Sequence, residues 1–216
     1  MRFVRQLSHD LRNHLNGIEL HAALLAELAD GSELKGEVTS LREVVSELAG
    51  GLQKLTSIMA PAAPQIIQYR SADFLQDLRD RIEKVLPEES SSISWNGELT
   101  DEILQIDPGL LQQAIIEIFT NAFQHDRGKG NIVFSTRTDT NNFYLELREP
   151  KKGFDLKTDN WSRAPLQNIR RGHYGLGLYR ARVIIESQQG ELKARYDPPN
   201  SSLITTITLP LFKNGP

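Results

Sequence analysis

The sequence contains no cysteine, which removes disulfides and cysteine-ligated zinc from consideration and suits a reducing interior such as the cytoplasm. It also lacks a basic excess. With 25 lysines and arginines against 28 acidic residues and a pI near 6.0, no surplus of cations exists to neutralise a phosphate backbone, so nucleic acid is not the expected partner. Long apolar runs are missing as well. The longest, roughly Leu20 to Leu28, is broken by His21 and Glu27, and it falls far short of the ~20 residues that a membrane-spanning helix needs. Charges at Arg2, Arg5, Asp10 and Arg12 leave no uninterrupted apolar core for a signal peptide. What remains is 39% hydrophobic and 25% charged residues, the balance of a globular chain rather than a disordered one. Its 216 residues suit two modest domains.

From Phe3 to Leu28 the residues Val4, Leu7, Leu11, Leu15, Ile18, Ala22 and Leu25 recur at spacings of three and four, the period of one helix face. After the turn-forming Asp30-Gly31-Ser32 a second such series runs through Leu34, Val38, Leu41, Val45, Leu48, Leu52, Leu55 and Met59. Helices joined so tightly must run antiparallel. Each stripe is wider than one partner helix can cover, so pairing with a second copy into a dimeric four-helix bundle is the economical way to bury it. Gly50-Gly51 interrupts the second series and marks a candidate bend.

Pro61-Ala62-Ala63-Pro64 ends the second helix, because proline cannot continue the hydrogen-bond ladder. The expected domains are therefore residues 1–61 and 65–216. In the second, the pattern predicts strands at Ile66–Tyr69, Ile93–Trp95, Ile103–Ile106, Ile132–Thr138, Phe143–Arg148, Glu191–Tyr196 and Leu203–Leu209. It predicts helices from Ser71 to about Leu86, from the Asp107-Pro108 start to about His125, and from Leu176 to Ser187 with Gly190 as cap. The class is mixed α/β, with a mainly antiparallel sheet on one side and helices on the other. A long irregular segment, Pro150–His173, separates the fifth of these strands from the last helix.

Three blocks carry chemistry. In Ser8-His9-Asp10-Leu11-Arg12-Asn13-His14-Leu15, His9 lies off the apolar series with Asp10 beside it and Asn13 one turn further on the same side. A solvent-facing neutral imidazole can attack a γ-phosphate while an adjacent carboxylate holds the tautomer and takes the proton. In Leu111–His125, the residues Glu117, Asn121 and His125 recur every four positions and present a carboxylate, an amide and an imidazole on one helix face. Magnesium prefers oxygen ligands and keeps several waters, so an Asn carbonyl and nucleotide phosphates suffice to hold it there. Gly172-His173-Tyr174-Gly175-Leu176-Gly177 opens the last helix, where glycines and unpaired N–H groups admit an anion.

Taken in this order, the blocks resemble the catalytic core of two-component histidine kinases over nearly the whole chain. The Ser8–Leu15 block resembles the H-box, with His14 where a proline is usual; the Leu111–His125 block is similar to the N-box; the Gly172–Gly177 block resembles the G2 box, and Pro150–His173 then corresponds to the ATP lid. Leu203–Pro210 is similar to the last strand of the family. The resemblance implies a dimeric helical hairpin followed by a Bergerat-type α/β sandwich. It implies His9 as phospho-acceptor, Asp10 and Glu117 as helpers in phosphoryl transfer, and Asn13 as the residue that orients water against a regulator's acyl phosphate. It places Asn121 on magnesium, and Asn121, His125, Glu149, Gly153, Arg170, Arg171, Gly175, Leu176 and Gly177 around ATP. The implied partners are a second copy of the chain and a response-regulator receiver domain, and the implied location is the cytoplasm. One box departs from the pattern. Where the family has Asp-x-Gly-x-Gly, this chain has Glu149-Pro150-Lys151-Lys152-Gly153, which lengthens the adenine-recognising acid by one methylene and puts a lysine where a glycine lets adenine approach. Two functions follow: a histidine autokinase using Mg-ATP, or a histidine phosphotransferase whose ATPase-like domain is degenerate and whose His9 relays phosphate between receiver domains.

Overall fold

The structure, a computed structural model, describes residues 2–28, 32–59, 62–97, 101–154, 158, 162 and 176–212. The chain divides into two compact units, Met1–Ala60 and Pro61–Pro216. No described helix is long and apolar enough to cross a membrane.

In the first unit α1 (Arg2–Leu28) and α2 (Ser32–Met59) form the expected hairpin. Asp30 and Gly31 of the expected turn lie outside the described residues. Arg42 donates to Glu19 at 2.7 Å across the hairpin, which fits an antiparallel course. Ala22, Val38 and Val45 are buried, and their small side chains let the two helices approach closely. The helical hydrogen bonding of α2 continues through Gly50-Gly51, and a Cβ at either position would meet open space, so the pair relieves no clash. Leu11, Ile18, Leu41 and Leu48 of the expected stripes stay exposed, as do Leu20, Leu24 and Leu28.

The second unit runs β1 (Ile67–Arg70), α3 (Ser71–Val85), a 3₁₀ turn (Ser90–Ser92), β2 (Ile93–Gly97), β3 (Ile103–Ile106), α4 (Pro108–Gln124), β4 (Ile132–Thr138), β5 (Asn142–Pro150), α5 (Leu176–Ser187), β6 (Glu191–Asp197) and β7 (Ser202–Pro210). Five strands make a mixed sheet in the order β2-β4-β5-β7-β6. Only β2 and β4 are parallel; the other neighbours are antiparallel, as the pattern led us to expect. β1 and β3 pair apart from this sheet as a two-stranded ribbon, a division that strand periodicity alone does not reveal.

Helices α3, α4 and α5 supply Phe74 and Leu78, Ile115 and Phe119, and Ile184 and Ile185 to one core, against Phe134, Leu145, Leu147 and Ile207 of the sheet. Trp95, Phe119 and Phe134 pack ring to ring, with centroids 5.1 to 6.2 Å apart. Trp95 and Phe134 meet edge to face, which adds to the burial of the rings, while the other two pairs are tilted. Asp107 caps α4 as its sequence implies: one carboxylate oxygen accepts from the Leu110 N–H at 3.0 Å, and Pro108 begins the helix. Its other oxygen accepts from the Gln65 N–H at 2.9 Å, and its own N–H donates to the Gln188 side chain at 2.7 Å. The cap thereby ties the start of the unit to α4 and to the end of α5.

The end of α5 differs from expectation. Gln189, not Gly190, takes the left-handed conformation, with φ 61°. The Gln189 N–H reaches the Glu186 carbonyl and the Gly190 N–H reaches that of Ile185, the two bonds of a Schellman ending. Gly190 is needed for space: a Cβ there would lie 2.8 Å from Ile185 Cγ2 and 2.9 Å from Leu209 Cδ2.

Candidate functional site

On the hairpin, the His9 side chain is 67% exposed and Asp10 52% exposed, so both face solvent. Asp10 Oδ1 lies 3.4 Å from His9 Nδ1, and Asn13 Nδ2 lies 3.3 Å from the same nitrogen. The carboxylate can only accept, so its contact puts the proton on Nδ1 and the lone pair on Nε2; in that tautomer the Asn13 Nδ2 group, itself a donor, lies beside the ring without a hydrogen bond to Nδ1. Helix periodicity explains the trio: Asn13 is one turn beyond His9, and Asp10 is its neighbour.

In the second unit, α4 carries Glu117 and Asn121 on one half-buried face. Among the described residues neither the Glu117 carboxylate nor the Asn121 amide makes a side-chain hydrogen bond, so both are available to a phosphate-bound cation. No group of three or more His, Cys, Asp or Glu converges among the described residues. A magnesium ion at Asn121 would therefore draw most of its ligands from phosphates and water, which fits its chemistry. The start of α5 meets this face directly: a Cβ on Gly177 would lie 2.5 Å from Glu117 Oε2, so glycine at 177 is what lets the carboxylate sit against the helix. Leu176, next to it, is buried.

His125 is the C-cap of α4: its N–H still donates to the Asn121 carbonyl at 3.2 Å, while its own backbone, with φ −119° and ψ 117°, is extended and ends the helix. Gly153 is exposed, and a side chain there would meet no atom within 4 Å. Arg170, Arg171 and Gly175 lie outside the described residues.

Glu149 closes the buried alternation of β5 after Phe143, Leu145 and Leu147, and Lys151 follows on the same side. Both side chains are 2% exposed. The Lys151 ammonium stands 2.9 Å from Glu149 Oε2 as an ion pair, while its aligned hydrogen bond goes to the His125 carbonyl at 2.7 Å; Oε2 accepts no aligned hydrogen bond among the described residues. Burial pushes the Glu149 carboxyl above the usual carboxylate range, and the Lys151 cation pulls it only part of the way back. Glu149 and Lys151 were each visible in the sequence, but their union was not. Strand alternation, which places residues two apart on one face, was the signal that could have found it.

Residues 106–213 match the family described as "Histidine kinase-, DNA gyrase B-, and HSP90-like ATPase". Among curated proteins, the alginate biosynthesis sensor protein KinB of Pseudomonas aeruginosa is 23% identical over 205 residues, which is 91% of this chain and 34% of that protein. The sensor histidine kinase SpaK of Bacillus subtilis is 29% identical over 106 residues, 47% of this chain and 23% of that one. The chain thus spans about a third or less of these relatives. The fold is similar to that of full-length ShkA in complex with AMPPNP, with a TM-score of 0.64 at 17% identity, covering 100% of this chain and 47% of that one. It is also similar to the Acinetobacter baumannii histidine kinase AdeS, with a TM-score of 0.56 at 19% identity over 95% of this chain and 98% of that one. With an Asn- and Glu-bearing helix set against a glycine-opened one, and with relatives that match in this order, the chain belongs to the histidine kinase-, DNA gyrase B- and HSP90-like ATPase family and has the architecture of a two-component histidine kinase catalytic core.

Proposed function

We propose that this chain is a histidine autokinase that phosphorylates His9 from Mg-ATP and passes the phosphoryl group to an aspartate of a response-regulator receiver domain. The observation that carries this reading is the meeting of Glu117 on α4 with Gly177 at the start of α5, one helical turn from Asn121, inside a domain of the matched family. Mg-ATP would supply the γ-phosphoryl group and the cation that neutralises phosphate charge. Asn121 would hold the cation through its amide oxygen, and Glu117 would assist the transfer from the same face. His9 Nε2 forms the new N–P bond as the bond from the γ-phosphorus to the ADP oxygen breaks. Asp10 keeps the proton on Nδ1 before attack and accepts it as positive charge develops on the ring. His125, Glu149, Gly153, Leu176, Gly177 and, outside the described residues, Gly175, Arg170 and Arg171 complete the expected nucleotide contacts.

The working form is a homodimer through residues 1–61, located in the cytoplasm. Its support is the row of leucines that one hairpin leaves exposed. Asn13 would orient water against a docked receiver's acyl phosphate, a role supported by its nearness to the His9 ring at 3.3 Å.

A second reading is favoured by one observation, the buried Lys151–Glu149 pair. It holds that the second unit no longer binds nucleotide and that His9 relays phosphate between receiver domains. Labelled ATP and a phosphorylated receiver, offered separately, decide between them. The autokinase takes acid-labile phosphate from both donors. His9→Gln takes it from neither, and Asn121→Ala takes it only from the receiver. Labelling of the unmodified chain by the receiver alone leaves the relay, and labelling of His9→Gln defeats both readings.

A further inference from the structure

The end of β5 is pinned on both sides. The Lys151 N–H donates to the Ser201 carbonyl at 2.8 Å, and the Gly128 N–H donates to the Pro150 carbonyl at 2.8 Å. Gly128 packs so closely that a Cβ on it would come within 3.0 Å of the Lys151 backbone. The Lys151 side chain runs from the end of the strand to the end of α4, where its ammonium lies 2.9 Å from Glu149 Oε2 and donates to the His125 carbonyl at 2.7 Å.

We propose that the Lys151 side chain is an internal occupant of the nucleotide-base space, which a base must displace before it can reach Glu149. This rests on the autokinase reading, in which Glu149 stands at the base-recognising position. The carboxylate is committed to the chain's own cation, and that cation also fastens the end of the helix bearing Asn121 to the end of β5. Both partners are almost wholly buried, so neither is offered to a ligand in this state. Binding has to break the ion pair and the bond to His125, and to carry the ammonium out to solvent. The lysine is long enough and flexible enough to do this, and its head is strongly hydrated once outside. Its effect falls on the base and not on the phosphates, which separates it from a general loss of the site.

The test compares three proteins by calorimetry: the unmodified chain, Lys151→Gly, and Glu149→Gln/Lys151→Gly. The double variant removes both charges together, which avoids leaving a lone buried charge at Glu149, and circular dichroism checks the fold of each variant. Each is titrated with Mg-ATP and with magnesium tripolyphosphate, which has no base. Removing the side chain is expected to tighten Mg-ATP binding at least tenfold, about 1.4 kcal/mol, and to leave tripolyphosphate binding no tighter. Unchanged or weaker Mg-ATP binding in the folded variants overturns the internal occupant while the autokinase reading stands. An equal gain for tripolyphosphate overturns it too, since the effect would then not concern the base. Failure of all three proteins to bind Mg-ATP at millimolar concentration overturns the occupant and the nucleotide reading together.

Discussion

The two units use apolar residues in opposite ways. In the α/β unit Phe74, Phe119 and Phe143 are wholly buried and three helices share one core with the sheet. In the hairpin Ala22, Val38 and Val45 are buried, while Leu20, Leu28 and Leu48 are 71%, 69% and 57% exposed. A sheet covered by helices closes its own core, whereas two helices touch along one seam and leave the rest of each stripe in water. The polar sites follow the same division. His9 and Asp10 are exposed on the hairpin, and the Glu149–Lys151 pair is buried in the α/β unit. One unit leaves apolar surface exposed and the other closes its own core.

The largest test of that contrast is Phe119→Ala. Phe119 packs against Trp95 and Phe134, and its loss should cost about 3–5 kcal/mol, enough to unfold a marginal domain. Near-ultraviolet circular dichroism from the aromatic cluster should vanish at a denaturant concentration that leaves the hairpin helical; a single joint transition would break the division into two units.

Leu48→Glu should act through association instead. If a second copy covers the exposed stripe, each lost leucine removes roughly 1.5–3 kcal/mol of burial from the dimer. Two copies together weaken dimerisation at least a hundredfold. Sedimentation equilibrium measures this, and an unmodified chain that is already monomeric at micromolar concentration would remove the bundle from consideration.

Gly190→Ala and Gln189→Gly should move stability in opposite directions. The first drives a methyl against Ile185 and Leu209 and should cost roughly 1–3 kcal/mol. The second relieves a left-handed residue at φ 61° and should stabilise by about 1 kcal/mol. Urea titration of each variant reads both, and a stabilising alanine at 190 would contradict the close approach of Gly190 to Ile185 and Leu209.

The smallest expected effect is on pH dependence. The folded-state pKa of Glu149 is raised, so its contribution is fully present below the unfolded carboxylate value of about 4.3 and is lost as pH rises through the folded value. Lys151→Met removes the opposing cation, raises the folded value further and should make the melting temperature fall more between pH 5 and 8 than in the unmodified chain. Parallel profiles for the two proteins would show that the pair carries no such linkage.

Much of this molecule is legible without coordinates because its signals are local. The strand Ile132–Thr138 and the helix Leu176–Ser187 fall where apolar spacing puts them, and Asp107-Pro108 caps α4 through bonds made within one turn. The trio His9, Asp10 and Asn13 is likewise set by helix periodicity. Other features depend on chain segments far apart in sequence. The end of α4 is one such feature, since the carbonyl of its C-cap His125 accepts from Lys151, 26 residues further on. The fit of Gly177 against Glu117 joins two helices 60 residues apart, and Asp107 joins Gln65 to Gln188. The sequence by itself determined the elements, the exposed histidine and the order of the blocks, because hydrophobic period and capping act within a few residues. Only the tertiary structure decided that a lysine two places along a strand would turn inward, pair with a buried carboxylate and fasten the helix opposite, because that choice is made by burial and by which partner is within reach.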